Sequence, residues 1–239
     1  MHLELNFSLE NTSLDKEYRT SIISYIKKAF DKINVLDEYY DDTPSSKSFT
    51  YSIYLPNPSF GGNGDNIVRL GESRMTLNVS TYNQLDGINL YNAFHALKGQ
   101  PFSLPHDNSM TLHTIKNVSK QMILNDKIRI KFLSPLMVRR HEKGTADKYY
   151  ITEDIDFSSA FEFCVQNQIK NEAAFAGVDT AVTLTPIKPK YTVVSCFGVK
   201  MRCSLGIYEL QAHPVILNYL RDSGIGSRRN AGFGMFVTT

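Results

Sequence analysis

Twice along this chain the spacing of apolar residues changes in the same order, and few folds accommodate that recurrence. Leu3, Leu5, Phe7 and Leu9 alternate with polar residues, the period of a half-buried strand. Leu14, Tyr18, Ile22, Ile26, Ala29 and Ile33 then recur every three or four positions. That spacing predicts a helix, with Ser13 as its N-cap and Lys27, Lys28 and Lys32 towards its C-terminal end. Phe49, Tyr51, Ile53 and Leu55 return to period two. A loop carrying Gly61, Gly62 and Gly64 leads to the alternating RMTLNVS of 74–80, a helix over LDGINLYNAFHALKG closes at Gly99, and a further strand is expected over 110–124. From residue 128 the order repeats. IRIKFLSPLMV reads as one strand, and Phe157, Phe161, Val165 and Ile169 mark a helix. AVTLTPI and TVVSCFGVKMRCSLGIYEL read as two strands, HPVILNYLRDSG as a helix with Pro214 in its first turn, and GFGMFVT as the last strand. Two βαββαβ halves predict an α+β fold of two tandem ferredoxin-like, RRM-like domains, 1–125 and 126–239, each an antiparallel sheet backed by helices.

With 239 residues, 42% of them apolar, the chain has enough material for a real core. It contains no apolar run near the length of a membrane span and opens on an alternating strand pattern, so a cytoplasmic protein that makes no use of a membrane is expected. Cys164, Cys196 and Cys203 form no paired-cysteine motif and read as reduced, buried thiols. No HExxH or GxxxxGK[ST] occurs, and the GxG at 224–226 follows a helix instead of starting one. Metal, nucleotide and dinucleotide chemistry therefore drop out, and no cofactor is expected.

Net charge is only +2, but residues 1–125 hold 11 Lys/Arg against 13 Asp/Glu, and residues 126–239 hold 15 against 11. No acid falls between Asp179 and Glu209, where Lys188, Lys190, Lys200 and Arg202 lie. Lys127, Arg129, Lys131, Arg139, Arg140 and Lys143 crowd an earlier stretch. A polyanion partner is one reading, with alternating cations on strands following a phosphate backbone; an ordinary solvated face is the other. Arg139, Arg140 and His141, followed by EKGTADKYY, read as a basic loop or hairpin leaving the sheet. His113 and His213 read as structural.

The stretch DSGIGSRRNAGFGMF, 222–236, places four of the chain's 14 glycines within eleven positions, around Arg228, Arg229 and Asn230. Glycines at positive φ let successive N–H groups form a concave anion-binding nest, and this loop joins the last predicted helix to the last strand. A turn alone needs one or two glycines.

With GIGSRRNAGFGMF at its end, SPLMVRR opening its second half and KSFTYSIYL in its first, the chain resembles the CRISPR-associated endoribonucleases that cut repeat precursor RNA into guide RNAs. The likeness covers nearly the whole length. It implies that Gly224, Gly226, Ser227, Arg228, Arg229, Asn230, Gly232 and Gly234 lie beside bound RNA. It implies metal-independent chemistry, in which a ribose 2′-hydroxyl attacks the adjacent phosphate and leaves 2′,3′-cyclic phosphate and 5′-hydroxyl ends. Such a reaction needs a base, an acid and a cation. The family commonly draws tyrosine, histidine and lysine from the first half; Tyr25 matches the tyrosine and Lys47 the lysine. Where the histidine should stand the chain reads LDEYYDDTPSS, with Asp37 or Asp41 at the position, and carboxylates are poor acids at neutral pH. Three outcomes are open: His95 or His141 has moved in, Tyr25 and Lys47 carry the reaction alone, or the chain is an RNA-binding subunit of an interference complex that does not cut. A reading from another class, a duplicated domain that binds a small ligand or a protein, predicts no salt-dependent RNA affinity. A homodimer is also open.

Overall fold

Residues 1–40, 49–62, 66–141, 147–170, 172–196 and 198–239 are described by the structure, a computed structural model. Contacts divide the chain into two compact units, Met1–Lys47 with Ile53–Ser119, and Lys120–Thr239 with the short segment 48–52.

The first unit opens with β1 (His2–Leu9), whose Leu3, Leu5, Phe7 and Leu9 are all buried, as their alternation requires. After it come β2 (Ser13–Asp15), α1 (Tyr18–Asp31), α2 (Leu36–Tyr40), β3 (Phe49–Tyr54), β4 (Ser59–Phe60), β5 (Ile67–Arg69), β6 (Arg74–Thr81), α3 (Gln84–Ala96), β7 (Pro101–Leu104) and β8 (Asn108–Asn117). The main sheet has the order β3-β6-β1-β8-β7. The four strands of a βαββαβ run thus stand second, third, first, fourth, consistent with the expected arrangement. Asn83 caps α3, its side chain accepting from the Leu85 and Asp86 amides.

Two details differ from the sequence reading. Ser13 is not a helix cap: it begins β2, which pairs with β5, and Leu14 is buried opposite Val68. The helix starts later, after Glu17, without a side-chain cap. The strand expected over 110–124 ends at Asn117 and is the second arm of a hairpin with β7, turned through His106 and Asp107 at φ 64° and 49°. Both are residue types that tolerate the left-handed region.

The second unit comprises β9 (Lys127–Phe132), β10 (Val138–Arg140), β11 (Lys148–Tyr150), α4 (Phe157–Ile169), a 3-10 turn (Ala173–Phe175), β12 (Thr183–Cys196), β13 (Val199–Gln211), α5 (Pro214–Ser223), a second 3-10 turn (Arg229–Ala231) and β14 (Phe236–Thr238). Its main sheet has the order β12-β13-β9-β14, again second, third, first, fourth. Ile130, Phe132, Tyr208, Leu210 and Phe236 from the sheet meet Phe161, Val165, Ile216, Leu217 and Leu220 from the helices in one buried cluster. Each such side chain contributes about 1.5–3 kcal/mol. His213 caps α5 by accepting from the Val215 amide at 3.3 Å, and Pro214 occupies the first turn, where no amide hydrogen is needed.

The segment read as one strand over 128–138 is broken. β9 ends at Phe132, the amides of Leu133 and Ser134 both turn to the Met235 carbonyl, and the chain resumes pairing at β10. Conversely, β12 is one strand where the sequence suggested an interruption at TPIKPK. It lies at the sheet edge, so Pro186 and Pro189 cost no ladder hydrogen bond. Ile187 is left over between Pro186 and Lys188 as a bulge, and a Cβ on Gly206 (φ 107°), the partner of Pro189, would run into the Lys188 carbonyl.

Candidate nucleic-acid interface

The glycine loop leaves α5 through Gly224 at φ 76°. A Cβ there would stand 2.7 Å from that of Thr50, one on Gly226 would stand 2.6 Å from the Met137 carbonyl oxygen, and one on Gly234 would collide with the Ile225 carbonyl. The Ile225 amide donates to Gly234 (3.0 Å), Gly234 to Pro135 (2.8 Å) and Ser227 to Met137 (2.9 Å). Gly226 donates to the Gln168 side chain at 3.2 Å and Met235 to Ser134 Oγ at 2.9 Å. These amides are engaged by the protein itself, so the expected phosphate nest is corrected: the glycines let backbones approach, and they brace the loop. Ser227 Oγ lies 3.2 Å from the Cys164 sulfur. Asn230 is half-buried, and Gly232, in the left-handed region at φ 81°, donates back to Arg229.

Arg229 is also corrected. It is 5% exposed and donates to the Ser223 carbonyl at 2.9 Å, closing the end of α5. Burial pushes its guanidinium pKa down, partly offset by Tyr219 and Cys164. It braces the loop and does not present itself to a ligand. Arg228, at φ 52°, keeps a partly exposed side chain whose Nη2 is 3.8 Å from Asp147.

Asp147 belongs to the hairpin that the sequence placed after Arg140. β10 and β11 pair with Val138 opposite Tyr150, Arg139 opposite Tyr149 and Arg140 opposite Lys148. Alternation sets Arg139 and Tyr149 on one face, and His141 and Asp147, just past the paired residues, join them. Arg139 donates to Asp147 Oδ2 at 2.8 Å, His141 Nδ1 lies 2.8 Å from Oδ1, and the Tyr149 hydroxyl donates at 3.3 Å. Desolvation raises the Asp147 pKa, but the hydrogen bonds and charges of His141 and Arg139 outweigh it and hold the carboxyl below its ordinary value. The His141 side chain is 62% exposed. On the other face, the Arg140 guanidinium stands 5.5 Å from the centre of the exposed Phe163 ring on α4.

A second group of cations lies on the sheet. Lys127, Arg129 and Lys131 are exposed along β9, whereas Ile130 and Phe132 point to the core. Lys131, Ile207 and Lys188 form one cross-strand row on this open face, with Lys190 two positions along β12; Glu209 engages Lys127 at 3.0 Å. Lys200 and Arg202 pair with Ser195 and Val193 and face the opposite way, and Arg202 is held by both oxygens of Asp154 at 3.2 and 3.1 Å. The four cations of 188–202 therefore do not line one groove, because the pleat sends the two pairs to opposite faces.

The first-half residues fare differently. Tyr25 is 1% exposed, edge-on to Phe7 and Phe102 and stacked with Phe94, and its hydroxyl has no hydrogen-bond partner among the described residues. Burial alone raises its pKa. Such a phenol reaches no RNA, and the expectation that it is catalytic is corrected: on α1 its position falls in the buried stripe of Ile22, Ile26 and Ala29. Lys47 and Asp41 lie outside the described residues, and Asp37 is exposed at the start of α2. His95 is exposed and stacks on Tyr91; His113 is the extra residue of a bulge in β8 and lies 2.7 Å from Ser8 Oγ. The sequence reading missed Asp147, Tyr149 and Phe163, whose place only the hairpin register and α4 packing disclose. All three cysteines are free. No helix among the described residues is long and apolar enough to cross a membrane.

Comparison with known proteins places this geometry in context. The family model described as "CRISPR associated protein Cas6, C-terminal" matches residues 115–238. Among curated proteins none matches the sequence. A solved structure described as "An RAMP protein binding different RNA substrates" is 18% identical, with a TM-score of 0.84 over 100% of this chain and 99% of that one. A Cas6-related protein from Pyrococcus furiosus is likewise 18% identical with a TM-score of 0.84, over 100% and 98%. A structure described as "CRISPR associated protein Cas6" is 17% identical, with a TM-score of 0.73 over 100% and 99%.

Proposed function

Because the chain belongs to the Cas6 family of CRISPR-associated proteins, we propose that it binds CRISPR repeat RNA and cuts the precursor into guide RNAs. The observation that carries this reading is the family match over 115–238, the half on which the exposed cations gather. The fold is two tandem ferredoxin-like domains divided near residue 125. RNA lies along the open face of the second sheet, against Arg129, Lys131, Lys188 and Lys190, and reaches the β10–β11 hairpin with Arg139, Arg140 and Arg228. Ser227 and Asn230 flank that path, and Lys200 and Arg202 meet a flanking stretch of backbone on the other face. The reaction is metal-independent attack by a 2′-hydroxyl, with Lys47 supplying the cation for the crowded phosphate.

The test is a cleavage assay on repeat RNA in EDTA with the product ends mapped. Cyclic phosphate ends, a rate slowed by Lys47→Ala and a rate untouched by Tyr25→Phe are expected. The buried Tyr25 favours a second reading, a repeat-RNA-binding subunit that does not cut; tight binding with intact RNA after hours establishes that one instead.

A further inference from the structure

We propose that His141 is the acid–base residue of the cleavage site, oriented by Asp147; this rests on the nuclease reading above. In the first half Tyr25 is sealed in the core, α2 presents carboxylates, the exposed His95 stacks on Tyr91 and His113 lies 2.7 Å from Ser8 Oγ. His141 instead stands at the end of β10 with its ring 62% exposed and its Nδ1 fixed at 2.8 Å from Asp147 Oδ1. Asp147 also takes Arg139 at 2.8 Å and has Arg228 at 3.8 Å, so it is ionised and has no proton to give. The Nδ1 hydrogen therefore belongs to histidine, and in the neutral ring Nε2 carries the lone pair on a side chain that is 62% exposed. Among the described residues, its face of the hairpin carries Arg139 on β10, Tyr149 on β11, Asp147, and Arg228 from the glycine loop, while Arg140 and Lys148 turn to the other face, where Lys148 lies 3.8 Å from Asp156. Two guanidiniums beside one carboxylate, among the described residues of this face, suit a phosphate whose charge is growing.

In the step assigned to it, Nε2 takes the proton of the ribose 2′-hydroxyl as the bond from O2′ to phosphorus forms. The bond from phosphorus to O5′ breaks, water protonates O5′, and the imidazolium returns its proton to the hydroxide so formed. The sequence carries a trace of this arrangement, since His141 and Asp147 stand six positions apart, each one residue beyond the paired ends of β10 and β11.

Cleavage of repeat RNA in EDTA is measured for the parent chain and for His141→Ala, with RNA affinity measured separately. His113→Ala, an exposed histidine on β8, is the control. The expected result is a loss of about 10²–10⁴-fold in the single-turnover rate for His141→Ala, unchanged affinity, restoration by free imidazole, and no effect in the control. Asp147→Asn lowers kcat without raising KM and changes the pH–rate profile. An undiminished His141→Ala rate overturns the assignment and leaves the nuclease reading standing. Loss of affinity together with rate, without imidazole rescue, makes His141 an RNA contact and also overturns it. A parent chain that binds repeat RNA but never cuts overturns the nuclease reading and this assignment with it.

Discussion

Arg229 is 5% exposed with its guanidinium on the Ser223 carbonyl, while Arg228, one residue earlier, keeps a partly exposed side chain near Asp147. Composition treats them alike; surroundings do not. Truncating Arg229 leaves a buried carbonyl at the end of α5 without its donor and opens a cavity, so Arg229→Ala should destabilise the protein by about 2 kcal/mol or more. Arg228→Ala should leave the melting temperature nearly unchanged and lower the salt slope of RNA binding by about one phosphate contact. Thermal unfolding and affinities at several salt concentrations measure both, and equal effects from the two variants would contradict the assignment. The sequence places both arginines in the loop but is silent on which is buried, because their environment comes from Ser223, Tyr219 and Asp147, which the fold brings to them.

At the scale of elements, the glycine loop separates two explanations of glycine. A phosphate-cradling role requires free amides, and a packing role requires neighbours where a Cβ would be. Gly234 meets the second requirement, with the Ile225 carbonyl in the way and φ at 73°. Gly198, at φ 71°, has nothing within 4 Å of its Cβ position. Gly198→Ala should therefore cost about 1–2 kcal/mol from the left-handed backbone alone, and Gly234→Ala several kcal/mol more, since backbone must move. Denaturant unfolding of the two variants decides it; similar costs would mean that crowding is not what Gly234 avoids. Periodicity was a good guide to β1, α3, α4 and α5, which are long enough to show a period and bury one face. It was blind to β2, β4 and β5, each of two or three residues, and misled at β12, where only the edge position makes two prolines harmless.

Over the whole molecule the formal charge is +2, too small to draw RNA by itself, so affinity has to come from where cations are grouped. On the second sheet, alternation removes the apolar half of β9 to the core and leaves Lys127, Arg129 and Lys131 outside, with Lys188 brought across from a residue more than fifty positions later. Glu209 occupies Lys127, which leaves for phosphate Lys190 further along β12 and, grouped closely, the cations Arg129, Lys131 and Lys188. Replacing these three by glutamine should weaken RNA binding uniformly across sequences. It should reduce the slope of log affinity against log salt by about 2, at roughly 0.7 per single-strand contact. Stability should change little, because all three are exposed on an open antiparallel face. Replacing Lys200 and Arg202 instead should change the slope less, since the pleat turns them to the other face and Asp154 already holds Arg202. If the second pair moves the slope as much as the first three, RNA follows a path around the β12–β13 hairpin and the open face is not its main track.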